Sequence, residues 1–323
     1  MRKISLILGL FILSIVACQR IEMSNPSETA MPLNKRACGS NEYLQQQLQA
    51  DPALASRMAN IEQFTRDYIA NNPQSRLLAS GIIEIPVVVN VVYKTAAQNI
   101  SQAQIQSQID ALNNDYAALN ADYALTPSLF QGVASGDCGI RFVLDQVVRK
   151  STTKTSFSTN NGVKKASSGG VAPTSPTTKL NIWVCNLSSG LLGYAQFPGG
   201  SSATDGVVID DNAFGTTGTA AAPFNKGRTA THEVGHWLNL RHIWGDATCG
   251  SDLVGDTPLH NTANYGCPTY PHLSTCTGTP VEMTMNYMDY TDDACMYMFS
   301  AGQKARMLSL FAVGGARNSF AQP

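Results

Sequence analysis

With 323 residues, 43% of them hydrophobic, the chain is long enough for one large domain or two ordinary ones and apolar enough for a packed core. A net charge of -1 and only 14% charged residues exclude an extended basic face for nucleic acid and an acidic tail for a basic partner. Recognition must therefore rest on local features. The chain opens on Arg2 and Lys3, followed by an apolar run over 4–17 that is too short to span a bilayer comfortably. Residues 1–17 read as an export signal peptide.

That run ends in Ile15, Val16, Ala17 and Cys18, which resembles a bacterial lipobox and predicts lipidation of Cys18. The competing reading is an ordinary signal peptide with an incidental cysteine, and both take the chain out of the cytoplasm. Residues 18–40 are polar and predict a tether. Over 41–76 apolar side chains recur at helical spacing with a break near Pro52, predicting a helical pro-region. Asn71, Asn72 and Pro73 close it, and the stretch that follows offers a cutting site at Arg76.

Residues 77–323 read as the main domain. The β-branched run over 82–94 predicts a strand covered on both faces. Ser101 is placed to cap a helix carrying Ile105, Ile109, Leu112, Tyr116 and Leu119 on one stripe. Apolar runs over 140–148 and 180–187 add strands, with an aperiodic surface excursion over 151–178 between them. An oxidising destination permits disulfides among Cys249, Cys267, Cys276 and Cys295, for which three pairings are open. A zinc-cysteine site is disfavoured because no C-x-x-C spacing occurs. Cys138 and Cys185 are either buried thiols or a further bridge.

Three of the five histidines fall within the eleven-residue span from His232 to His242, beside Glu233. On a helix His232 and His236 lie about 40° apart in projection and one turn apart in height, so both imidazoles can reach one ion. A catalytic zinc needs three protein ligands and an open fourth position. His242 supplies the third only if the chain turns, because six further helical residues would rotate it by about 600°. Asn239 tolerates the left-handed conformation that such a turn requires. Glu233 is placed to act as general base on a water at the metal, which predicts peptide hydrolysis. A closed, purely structural zinc site is the competing reading.

The window from His232 to His242 resembles the metzincin clan, with Asn239 where the clan pattern has Gly. The likeness is closest to the pappalysin-like family and extends over 82–312. It implies a metzincin-type α/β zincin: a twisted mixed sheet, an active-site helix and a loop-rich, disulfide-stapled C-terminal subdomain. By the same resemblance Met288 lies in a Met-turn beneath the metal and Tyr290 donates to the tetrahedral intermediate. Asp252, Asp256 and Thr257 are implied to bind structural calcium, the bridges are implied to be Cys249–Cys276 and Cys267–Cys295, and residues 191–198 form a cleft-edge strand for extended substrates. Arg36, Ala37, Cys38 and Gly39 resemble the cysteine switch of zinc proenzymes, which implies that Cys38 masks the metal until the segment is cut away. The expectation is a monomeric, outer-membrane or cell-surface zinc endopeptidase acting on proteins or peptides, attached to the membrane only through its N-terminal lipid and released by processing. The alternative is an inactive zinc-binding surface lipoprotein.

Overall fold

The computed structural model describes residues 35–72 and 81–321. The signal peptide, Cys18 and Arg76 lie outside these residues. Helices α1 (Ser40–Ala50) and α2 (Leu54–Asn71) come first, separated by the turn around Pro52. Proline there has no amide hydrogen to donate and so is tolerated between helices and not within one.

A five-stranded sheet follows, built from β1 (Ile83–Tyr93), β2 (Ile140–Ser151), β3 (Leu180–Cys185), β4 (Gly193–Ala195) and β5 (Val207–Asp210), in the order β2-β1-β3-β5-β4. All neighbours pair parallel except β4, which runs antiparallel to β5 and forms the edge. The sheet is mixed, as the α/β reading requires. Parallel neighbours need long crossovers. The first is α3 (Gln102–Tyr116), whose N-terminus is capped by Ser101 accepting the Gln104 N–H. Ile105, Ile109, Leu112 and Tyr116 are buried against the sheet, whereas Leu119 is exposed. The helix ends at Tyr116 and Ala118 takes a positive φ, so the apolar stripe stops one turn before Leu119.

A single turn, α4 (Ser128–Gln131), precedes β2, and α5 (Arg228–Trp237) packs on the same face of the sheet as α3. Gln108 of α3 fixes the approach to α5 by donating to Gly227 O and accepting from the Gly215 N–H. Arg228 then pins the first turn of α5 through Asp122 and the carbonyl of Asp293. The C-terminal part has little regular structure before α6 (Ala301–Ser309) and is stapled by Cys249–Cys276 and Cys267–Cys295. Cys138 and Cys185 are buried free thiols, which resolves the alternatives left open for them. Among the described residues no helix is long and apolar enough to cross a membrane.

Candidate metal centre and cleft

His232, Glu233 and His236 are all buried on α5. The helix stops at Trp237, and Asn239 adopts φ 68, the left-handed value anticipated for the turn. The N–H groups of Asn239 and Leu240 close that turn on the carbonyls of His236 and Gly235. The reversal returns His242 to the helix face. The Nε2 atom of His236 lies 3.1 Å from that of His232 and 3.1 Å from that of His242.

The opposite ring nitrogens show what these atoms can do. Nδ1 of His232 donates to Tyr287 O at 2.7 Å and Nδ1 of His236 donates to Leu240 O at 2.8 Å. His242 directs Nδ1 at Asp246 Oδ1, 2.5 Å away. With the protons held on Nδ1, three Nε2 lone pairs face one another, an arrangement suited to a metal cation. Neutral imidazoles at edge lengths near the ~3.3 Å of a tetrahedral zinc shell fit that ion. Trp244 stacks on His242 at 4.3 Å between ring centroids and restricts its rotation.

Met288 is fully buried beneath this group. A Cβ on Gly235 would come within 2.5 Å of its sulfur, so glycine is needed for the Met-turn to approach α5. Tyr290 lies 4.9 Å from the His242 ring and 5.7 Å from the His232 ring. Gly193 brings the edge strand equally close, since a Cβ there would meet Glu233 Cγ at 2.8 Å.

The segment preceding α1 fills this cleft. Cys38 joins the three histidines in the one group of His, Cys, Asp or Glu residues, among those described, whose ligand atoms all lie within 4.8 Å of one another. The segment pairs with β4 in the parallel sense through Leu192 N–H to Ala37 O and Gly39 N–H to Gly193 O. Tyr290 Oη donates to Cys38 O at 3.2 Å, and Ser40 Oγ donates to Glu233 Oε2 at 2.8 Å. Burial pushes Glu233 up to about 7, moderated by the Ser40 and Cys38 hydrogen bonds. Arg36 enters a closed pocket: its guanidinium meets Asp293 at 2.6 Å, Thr229 Oγ1 at 3.0 Å and Thr291 O at 3.2 Å, over the Phe224 ring.

The residues expected to hold calcium bond within the protein. Thr257 Oγ1 donates to both oxygens of Asp252, but Asp256 does not join them. Its oxygens accept from Ser300 Oγ and the Gly302 N–H, because the first amides of α6 have no partner within the helix. Asp246 went unnoticed in the sequence although it stands four residues beyond His242. Ser40 carried no signal that a spacing argument could have found.

The family profile described as Pregnancy-associated plasma protein-A, peptidase M43, matches residues 175–312. An extracellular metalloprotease of Pyricularia oryzae is 33% identical over 85% of this chain and 88% of its own length. One from Arthroderma otae is 31% identical over 76% of this chain and 84% of its own. The chain is a pappalysin-family metallopeptidase. Solved relatives agree: a promirolysin point mutant from Tannerella forsythia is 45% identical with TM-score 0.80, covering 88% of this chain and 97% of that one. Mature Tannerella forsythia mirolysin in complex with a cleaved peptide is 48% identical with TM-score 0.73, covering 75% and 97%. This pappalysin therefore has the mirolysin-like metzincin fold and the zinc chemistry of its family.

Proposed function

We propose that the chain is exported as a latent zinc endopeptidase, in which Cys38 occupies the position where a water must sit and Arg36 occupies the pocket that takes a substrate side chain. The observation that carries this reading is the Cys38 sulfur grouped with His232, His236 and His242 while Arg36 ends on Asp293. When bound, zinc acidifies a water molecule and polarises the scissile carbonyl. Glu233 accepts the proton at Oε2 and returns it to the leaving amine. Tyr290 directs its hydroxyl at the carbonyl oxygen, as it does at Cys38 O in the latent state. The edge strand β4 holds an extended peptide by strand addition.

Asp293 is fully buried with a guanidinium as its partner, which favours cleavage next to basic residues, arginine above all. A cut near Arg76 frees residues 77–323 both from the mask and from a lipid on Cys18. Calcium at the loop over 252–257 is supported by the hard oxygens of Asp252 and Thr257 together with the neighbouring backbone, without Asp256.

The test is a mass-spectrometric profile of cleavage in a denatured protein by the processed enzyme, beside Glu233→Ala, with and without a zinc chelator. Cleavage that is lost in the variant and with the chelator, at sites carrying Arg or Lys, is the expected result. No cleavage by either protein would favour an inactive zinc-binding lipoprotein. Cys38→Ala should raise the activity of the uncut chain, and an unchanged background would remove the mask from the proposal.

A further inference from the structure

The N-terminal helices also meet the domain at α6. Glu62 of α2 makes a bidentate pair with Arg306 of α6, at 3.0 Å to Nη1 and 2.7 Å to Nη2. Beside it Ser309 Oγ donates to Thr65 Oγ1 at 3.1 Å. The guanidinium is nearly buried. It is held independently of α2 by Leu253 O on Nη1 and by Asn239 O on Nη2. The fork is therefore aimed by the folded domain and not by its partner.

Removing α2 takes away both carboxylate oxygens and uncovers an oriented guanidinium fork that another carboxylate can meet bidentately. Asp252, which the guanidinium also reaches electrostatically, takes its hydrogen bonds from Thr257 and the Val254 N–H and not from Arg306. The location also favours contact with substrate. Ile61, the residue before Glu62, lies against Gly199, Leu54 packs on Phe197, and Arg57 donates to Gly199 O. These positions continue the chain of β4 beyond Ala195, and Phe197 lies 5.3 Å from the His236 ring. One helix thus spans from the continuation of the edge strand to Arg306.

We propose that Arg306 is a carboxylate-binding exosite, occupied by Glu62 in the latent chain and open to an acidic side chain of a substrate once the pro-region has left. This rests on the zymogen reading above. A peptide long enough to follow β4 past Phe197 would place a Glu or Asp on the guanidinium fork and gain binding, without changing the chemistry at the metal.

The experiment has two arms. The full chain is nicked at Arg76 with trypsin, kept as the non-covalent complex, and challenged with labelled peptides of residues 40–72, one with Glu62 intact and one with the Glu62→Gln substitution. The peptide that keeps Glu62 should compete at least 10-fold better, and the difference should vanish in Arg306→Gln. Arg306→Lys, which keeps the charge but not the fork, should retain part of it and guards against misfolding of the first variant. In the second arm, peptide substrates differing only by Glu or Gln at each of six positions on either side of an arginine site are compared. One Glu series should show a KM lowered 5- to 20-fold with kcat unchanged. Peptides that discriminate at residue 62 with a protein that hydrolyses nothing would leave the exosite standing and sink the peptidase reading. Equal competition by both peptides, or a Glu preference that survives Arg306→Gln, overturns the exosite.

Discussion

Ser40 Oγ donates to Glu233 Oε2 at 2.8 Å while accepting the Ala195 N–H at 2.8 Å, so one hydroxyl joins the start of α1 to the carboxylate of the active-site helix and to the edge strand. In the proposed latent state this contact would block the proton acceptor, as Cys38 would block the metal position. A hydrogen bond to a charged acceptor contributes about 1.5–3 kcal/mol. Ser40→Ala should raise hydrolysis of a fluorogenic peptide by the uncut chain about 10-fold. A background equal to that of the wild type would show that the Cys38 contact suffices.

Arg36 and Asp293 form an ion pair in which both side chains are almost wholly buried. Removing one partner of such a pair commonly costs about 3–5 kcal/mol. Asp293→Asn should lower kcat/KM on arginine substrates roughly 100-fold or more and leave peptides without basic residues much less affected. Steady-state kinetics on paired Arg and Gln peptides measures this, and an undiminished ratio would exclude Asp293 as the source of any basic preference.

Asp246 holds His242 in the tautomer that leaves Nε2 free. Partners of this kind are worth about 10- to 100-fold in metal affinity. Competition with a chromophoric chelator should show Asp246→Ala losing zinc to that extent, with the far-ultraviolet circular dichroism unchanged.

Asp210 accepts the Leu187 and Asn212 N–H groups, yet burial pushes it up to about 6. Its proton affinity in the folded state exceeds the ordinary unfolded value near 3.9. The folded state therefore binds more protons between these limits. The stability this group contributes is fully present below about pH 4 and is lost as the pH rises through 6. Asp210→Asn cannot ionise, so its stability relative to wild type should improve by roughly 1–3 kcal/mol between pH 4.5 and 7 in urea unfolding. A difference independent of pH would refute the assignment.

Much of this protein was legible residue by residue. The helix bearing His232, Glu233 and His236, the Ser101 cap and the largely covered strand β1 follow from local residue patterns, because the backbone sets the rise and twist of each element. Local spacing also showed that His242 required a reversal, and Asn239 was the residue able to make it. Where local signals extended past a real boundary, as at Leu119, the turn at Ala118 took precedence.

Tertiary structure decided the rest. Arg36 reaches Asp293 across 257 positions, Glu62 reaches Arg306 across 244, and Asp256 serves α6 instead of the loop it belongs to. No spacing encodes such pairs, since the two residues meet only when α1, α2 and α6 have packed. What the chain could state by itself was which side chains share a helix face and a metal's preferences. Which carboxylate met which guanidinium was chosen by packing, because a buried charge must be neutralised by whatever partner the folded chain brings to it.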